Sequence, residues 1–134
     1  MEKKKQNPTP TTVEKLLGAC NRAPGEQCLQ FKSWTDADGN PVVFRIHELS
    51  YDKVREIQQM SSGADFAAAI ITAGVVEPNL RDERLQQACG AVTPYEVVRK
   101  MLRAGELEDL QAAIEKLSGY RGSTLQILAD IEKN

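Results

Sequence analysis

The chain has 134 residues, of which 41% are hydrophobic and 27% charged, enough for one domain with one modest core and no need of disulfides or metals. A formal charge of -2 excludes general binding to nucleic acid, which requires a basic footprint. The cysteines, Cys20, Cys28 and Cys89, are odd in number and widely spaced, and no signal-peptide pattern is present, so free thiols in a reducing cytoplasm are expected.

The start, "MEKKKQNPTPTT", is polar and holds two prolines, which reads as a mobile arm over residues 1–11 ahead of a domain spanning 12–134. Lys3, Lys4 and Lys5 need no role beyond solvation. Thr12 is the expected cap of a short helix from Val13 to about Cys20, with Val13, Leu16 and Leu17 on one face. Pro24 and Gly25 end it.

A β-hairpin follows at about residues 28–47. "CLQFKSW" alternates, with Cys28, Gln30, Lys32 and Trp34 on one side and Leu29, Phe31 and Ser33 on the other. "VVFRI", Val42 to Ile46, is its partner across the turn formers "TDADGNP". "DADGN" has a faint look of a calcium loop, but Arg45 stands where the closing glutamate belongs, so a turn is the better reading.

From Leu49 the pattern is helical. Ser50 caps a helix to Met60 with Tyr51, Val54 and Ile57 facing inward, and Leu49 and Val54 sit at the positions of a hydrophobic staple. Asp65 caps an apolar helix from Phe66 to Val76 that Pro78 stops; this run is far short of the ~20 residues of a membrane span. Asp82 caps a helix to Cys89, ended by Gly90. In "VTPYEVV", Thr93 is a cap, Pro94 takes the first helical position, Glu96 completes a capping box, and Val92 and Val97 form a staple. That helix stops near Gly105. The next carries Leu107, Leu110, Ile114 and Leu117 as one apolar stripe, with Glu106, Glu108 and Asp109 at its positive end, and Gly119 ends it. A last helix, "STLQILADIEKN", offers Leu125, Leu128 and Ile131. The fold expected is mainly α: a small helical domain of about five to six helices with one hairpin near the N-terminus.

Chemistry is hard to find. The single histidine, His47, has no nucleophile pattern around it. Cys20, Cys28, His47 and Cys89 lack the close C-x2–4-C pairs of a structural zinc site. No phosphate-binding glycine loop occurs, and acidic pairs such as Glu106 with Asp109 suit helix first turns. A helix-turn-helix over Thr93 to Leu117 would aim Glu106, Glu108, Asp109 and Glu115 at phosphates, which repulsion forbids. The residues describe a helical domain without catalysis, cofactor or metal, suited to binding, scaffolding or chaperoning.

Three segments, in order, carry a resemblance: "FRIHELSYDKVREIQQM", "AAAIITAGVVEPNLRDERL" and "AVTPYEVVRKMLRAGELEDLQAAIEKLSGY". Together, from about Phe44 to Tyr120, they resemble the tail assembly chaperones of tailed bacteriophages and defective prophages, in their short form. The resemblance implies a non-enzymatic protein of the host cytoplasm, absent from the mature virion. It implies binding to the tape measure protein, keeping that protein soluble, and assembly of the tail tube around it. It also implies self-association, and contact with tail tube protein through a frameshifted longer form. On this likeness the partner-binding residues are expected at Glu77, Pro78, Asn79 and Leu80, at Gly105 and Glu106, and at Gly119 and Tyr120. A structural tail completion or connector protein, retained in the particle, is the alternative. Glu132-Lys133-Asn134 can be encoded by GAA AAA AAC, which contains a slippery heptamer, so a backward shift near Lys133 is expected to yield the longer product.

Overall fold

The computed structural model describes residues 9–129 and 131. The elements in chain order are α1 (Thr12–Leu16), a 3-10 turn (Ala19–Asn21), β1 (Glu26–Thr35), β2 (Pro41–His47), α2 (Tyr51–Met60), α3 (Ala64–Gly74), β3 (Val75–Glu77), α4 (Glu83–Cys89), α5 (Pro94–Met101) and α6 (Ala104–Leu117). The sheet is antiparallel with order β1-β2-β3. The mainly helical expectation is therefore corrected to a mixed α/β fold, in which a third strand joins the hairpin.

The hairpin stands where alternation and turn chemistry put it. Asp36 shapes the turn: its carboxylate accepts from the backbone N–H groups of Asp38 (2.8 Å) and Asn40 (2.9 Å), and Gly39 supplies a φ of 84°. Those donors hold the Asp36 carboxyl below its ordinary pKa, the Asn40 amide most of all. The faces of β1 differ from simple alternation. Register runs from Gln30 opposite Val43 to Thr35 opposite Pro41, so Phe31 to Trp34 stand against Val42 alone. This bulge turns Trp34 to the side of Leu29 and Phe31. Phe31, Trp34 and Phe44 then meet with ring centroids 5.2 to 5.7 Å apart.

The core is centred on α3, where Ala68, Ala69, Ile70 and Ile71 are buried. Phe44 and Ile46 cover it from the sheet, Val54 and Ile57 from α2, Val98 from α5, and Leu110 and Ile114 from α6. Gly74 lets α6 come close: a Cβ there would lie 2.7 Å from Cγ2 of Ile114. The apolar helix expected to run to Val76 stops at Gly74 instead. Val75 and Glu77 pair with Ile46 and Arg45 of β2, and that unmet strand edge outcompetes further helix. A cis peptide joins Glu77 to Pro78.

Caps explain most other boundaries. Ser50 and Thr93 accept from the N–H groups of Lys53 and Glu96, as expected. Asp82 caps α4 through Arg84 N–H, and Gly90 ends that helix in the left-handed region. The Arg84 guanidinium, which donates to the same carboxyl, pulls the Asp82 pKa down to about 2 from 3.8. A depressed carboxyl favours the folded state at pH above its unfolded pKa, and that contribution disappears as pH falls through about 2. NMR titration of the Asp82 carboxyl is expected to give a midpoint near 2, returning toward 3.8 in Arg84→Ala.

Several local expectations are corrected. Thr11, not Thr12, caps α1, and the helix ends at Leu16; Val13, Leu16 and Leu17 are exposed because no element packs over them. Tyr51 is exposed at the start of α2. Asp65 does not cap α3, whose N-cap is Gly63; it ion-pairs with Arg99 of α5. The Glu96 carboxylate reaches Val92 N–H rather than the cap, and Val92 is 81% exposed, so no staple forms with buried Val97. Gly105 lies inside α6 rather than between helices. Residues 123–129 form no helix, and Leu125, Leu128 and Ile131 are exposed. The arm's Lys3, Lys4 and Lys5 and the Glu132-Lys133-Asn134 end lie outside the described residues.

Candidate partner-binding site

The residues expected to meet partners fall into three places. The first is the rim after β3. Glu77 is exposed and pairs with Arg45 at 3.2 Å, while Arg45 also reaches Glu26 at 3.7 Å. These exposed pairs fasten β1 and β3 to β2 at up to about 1 kcal/mol each. Asn79 accepts from Arg81 N–H through its side chain (3.1 Å), and Leu80 is only 4% exposed. Pro78, Asn79 and Leu85 line an open hollow of about 470 Å³, with Asp82 and Arg84 at its edge. Leu80 therefore anchors this rim from inside.

The second place is the start of α6. Gly105 is exposed, with open space around it. Glu106 uses both carboxylate oxygens: one accepts from Trp34 Nε1 at 2.6 Å, the other from Arg103 N–H at 2.7 Å. One side chain thus satisfies a free amide at the helix start and ties α6 to the bulge of β1. Glu106→Ala is expected to lower stability by about 1–3 kcal/mol, since the part-buried indole N–H loses its acceptor. Glu106→Gln keeps an acceptor and should recover most of that loss in urea unfolding. Beside Glu106 a groove of about 510 Å³ runs between β1 and α6, walled by Leu29, Phe31, Leu110 and Ala113, with Asp109 on its lip.

The third place is the end of α6. Tyr120 N–H donates to Glu115 C=O at 2.8 Å and Gly119 N–H to Lys116 C=O at 3.1 Å, with Gly119 at φ 94°. This double closure satisfies the last carbonyls and needs a residue tolerant of positive φ. Ser118 Oγ accepts from Leu49 N–H at 2.8 Å and donates to Ile114 C=O at 2.7 Å, joining the α6 end to the entry of α2. Tyr120 then borders a hollow of about 270 Å³ floored by Leu49, Val54, Phe66 and Ile70.

The first and third places expose apolar or amphipathic groups beside rigid helix ends, a surface suited to a protein ligand. The eight residues do not converge: α6 alone holds the second and third about 20 Å apart. Sequence reasoning missed the β1–α6 groove, because the bulge that forms one wall leaves no periodic trace. Cys20 and Cys28 are exposed, Cys89 is partly buried, and His47 Nδ1 lies 2.7 Å from Glu48 C=O. No group of metal-ligating side chains gathers among the described residues.

The chain belongs to the family described as Phage XkdN-like tail assembly chaperone proteins, whose model matches residues 13–132. The match supports a general role in tail assembly chaperoning. The fold is similar to the crystal structure of the protein yqbn, with a TM-score of 0.63 and 22% identity, over 73% of this chain and 87% of that one. No curated protein matches the chain. No described helix is long and apolar enough to cross a membrane.

Proposed function

We propose that this chain binds the tape measure protein in the host cytoplasm, keeps it soluble, and promotes tail tube assembly around it, leaving before the virion is complete. The family match over residues 13–132 carries this reading. The apolar hollows beside the rim of Pro78 and Asn79 and beside Tyr120 support it, since a long helical partner is held by apolar side chains seated between elements. In this reading Pro78, Asn79, Gly105 and Tyr120 touch partners. Glu77, Leu80, Glu106 and Gly119 hold those contacts in shape. The chain works by binding, not catalysis. Coating a long partner requires many copies, so self-association is part of the function. Tail tube protein is engaged through a frameshifted longer product, which the codons of residues 132–134 and an overlapping downstream frame test.

Co-expression with the long helical protein encoded downstream tests the central claim. The expected result is co-purification in many copies, with the partner insoluble when expressed alone. A partner that is soluble alone and never associates would sink it. Retention of the chain in purified particles, read by mass spectrometry, would favour a tail completion or connector protein.

A further inference from the structure

The described residues after α6 leave the domain. From Gly119 onward all are exposed, and Leu125, Ile127, Leu128 and Ile131 are between 82% and 89% exposed. So much apolar side chain on one short segment marks a contact not made within this copy. The segment is not helical. Its sequence from Ser123 to Ala129 is uncharged and alternates, with Leu125, Ile127 and Ala129 on one side when extended.

The domain also offers a matching seat. β1 is an edge strand, with an unpaired backbone row facing away from β2. Beside that edge lies the apolar groove against α6. The Gly25 end of β1 lies by Leu117, and Trp34 at its other end bonds to Glu106, so α6 runs antiparallel along β1. From Glu106 to Leu117 the helix covers about 17 Å. Seven extended residues cover about 23 Å, enough to fill that length. The groove's lining carries charge of both signs, Glu106 and Asp109 from α6 and Lys32 from β1, and leaves an uncharged strand unopposed.

We propose that residues 123–129 of one copy add to the outer edge of β1 of a second copy, seating Leu125 and Ile127 in the groove between β1 and α6. The occupant is a second copy because the arm's own apolar side chains stay exposed and none of them lines the groove of its own copy. Tyr120 N–H is bonded to Glu115 C=O, Arg121 is ion-paired to Glu115 at 2.9 Å, and Gly119, Arg121 and Gly122 all have positive φ. A non-glycine residue in the left-handed region is held there by its surroundings, here the Glu115 clasp. Each copy then has one arm and one seat on different surfaces, so the contact is head-to-tail and a row of copies can grow from it. The proposal concerns copies of this chain alone and does not rest on tape measure binding.

The test uses the purified full chain without tail proteins, in sedimentation velocity over a wide range of concentration. The wild type is expected to form species larger than a dimer as concentration rises. An arm variant, Leu125→Asp with Ile127→Asp, and a groove variant, Ala113→Arg, should each lose this growth. Mixed together, they should form a one-to-one dimer and nothing larger, because only one competent arm–seat pair remains. Ser33→Arg, on the exposed side of β1, serves as the groove variant if Ala113→Arg does not fold. An arm variant that associates like the wild type would overturn the proposal. So would a wild type monomeric throughout, or single variants that fail to complement in the mixture.

Discussion

Phe44→Ala is expected to lower the unfolding free energy by about 3–5 kcal/mol, a large share of the about 5–15 kcal/mol that holds a typical domain together. Phe44 is 1% exposed in the central strand, and its ring meets Phe31 at 5.4 Å and Trp34 at 5.7 Å, both near edge-on. Truncation removes the fully buried member of that trio and leaves a void the bulge cannot refill without moving. It also loosens the wall that presents Trp34 to Glu106. Urea unfolding followed by the fluorescence of Trp34, the single tryptophan, reads both effects. The midpoint should fall with the slope preserved, and native emission should shift toward that of exposed indole. A loss below about 1 kcal/mol would mean that the aromatic trio is peripheral to stability.

Gly74→Ala is the second large effect, expected at about 1–3 kcal/mol for overpacking. The added methyl would stand 2.7 Å from Cγ2, 2.8 Å from Cδ1 and 3.0 Å from Cγ1 of Ile114, a side chain with no exposed surface. Gly74 needs no unusual backbone angle, so the cost is one of space between α3 and α6. Ile114→Ala alone should cost about 2–5 kcal/mol through the cavity it leaves. In the double variant the new methyl partly fills that cavity, so the combined loss should fall short of the sum by about 0.5–3 kcal/mol. A double-mutant cycle from chemical denaturation measures this coupling. Strict additivity would show that the two helices do not meet at this pair.

The hairpin and the starts of α2, α4 and α5 were legible because local chemistry determines them. Asp36, Ser50, Asp82 and Thr93 each bond to backbone within a few residues, and the sequence displays both ends of such a bond. β3 was not legible, since Val75 and Val76 continue an apolar run in which Gly74 alone does not signal a change from helix to strand. Only the waiting edge of β2 makes them a strand. Trp34 could not be assigned to its face, because the bulge that turns it inward breaks the alternation, and the Glu106 acceptor that it meets there is far away along the chain. The last helix failed for the opposite reason: Leu125, Leu128 and Ile131 have helical spacing but no surface of their own copy to bury against, and short helices are marginal without packing. Of the candidate site, the positions were legible but the roles were mixed. Leu80 and Glu106 look like surface residues in sequence, yet each is engaged by the fold.

The two seams of the sheet differ in how the chain reaches them. β1 and β2 meet across a turn a few residues long, whereas Ile46 finds Val75 only after α2 and α3 have intervened. Closing a long loop loses more chain entropy, so the first seam is quick to form and the second waits on the helices. A change in β3 should therefore act mainly on how fast the native state comes apart, and one in the hairpin on how fast it is reached. During synthesis the hairpin emerges before the rest of the sheet, and β2 keeps a bare edge until β3 follows the central helix out to pair with it.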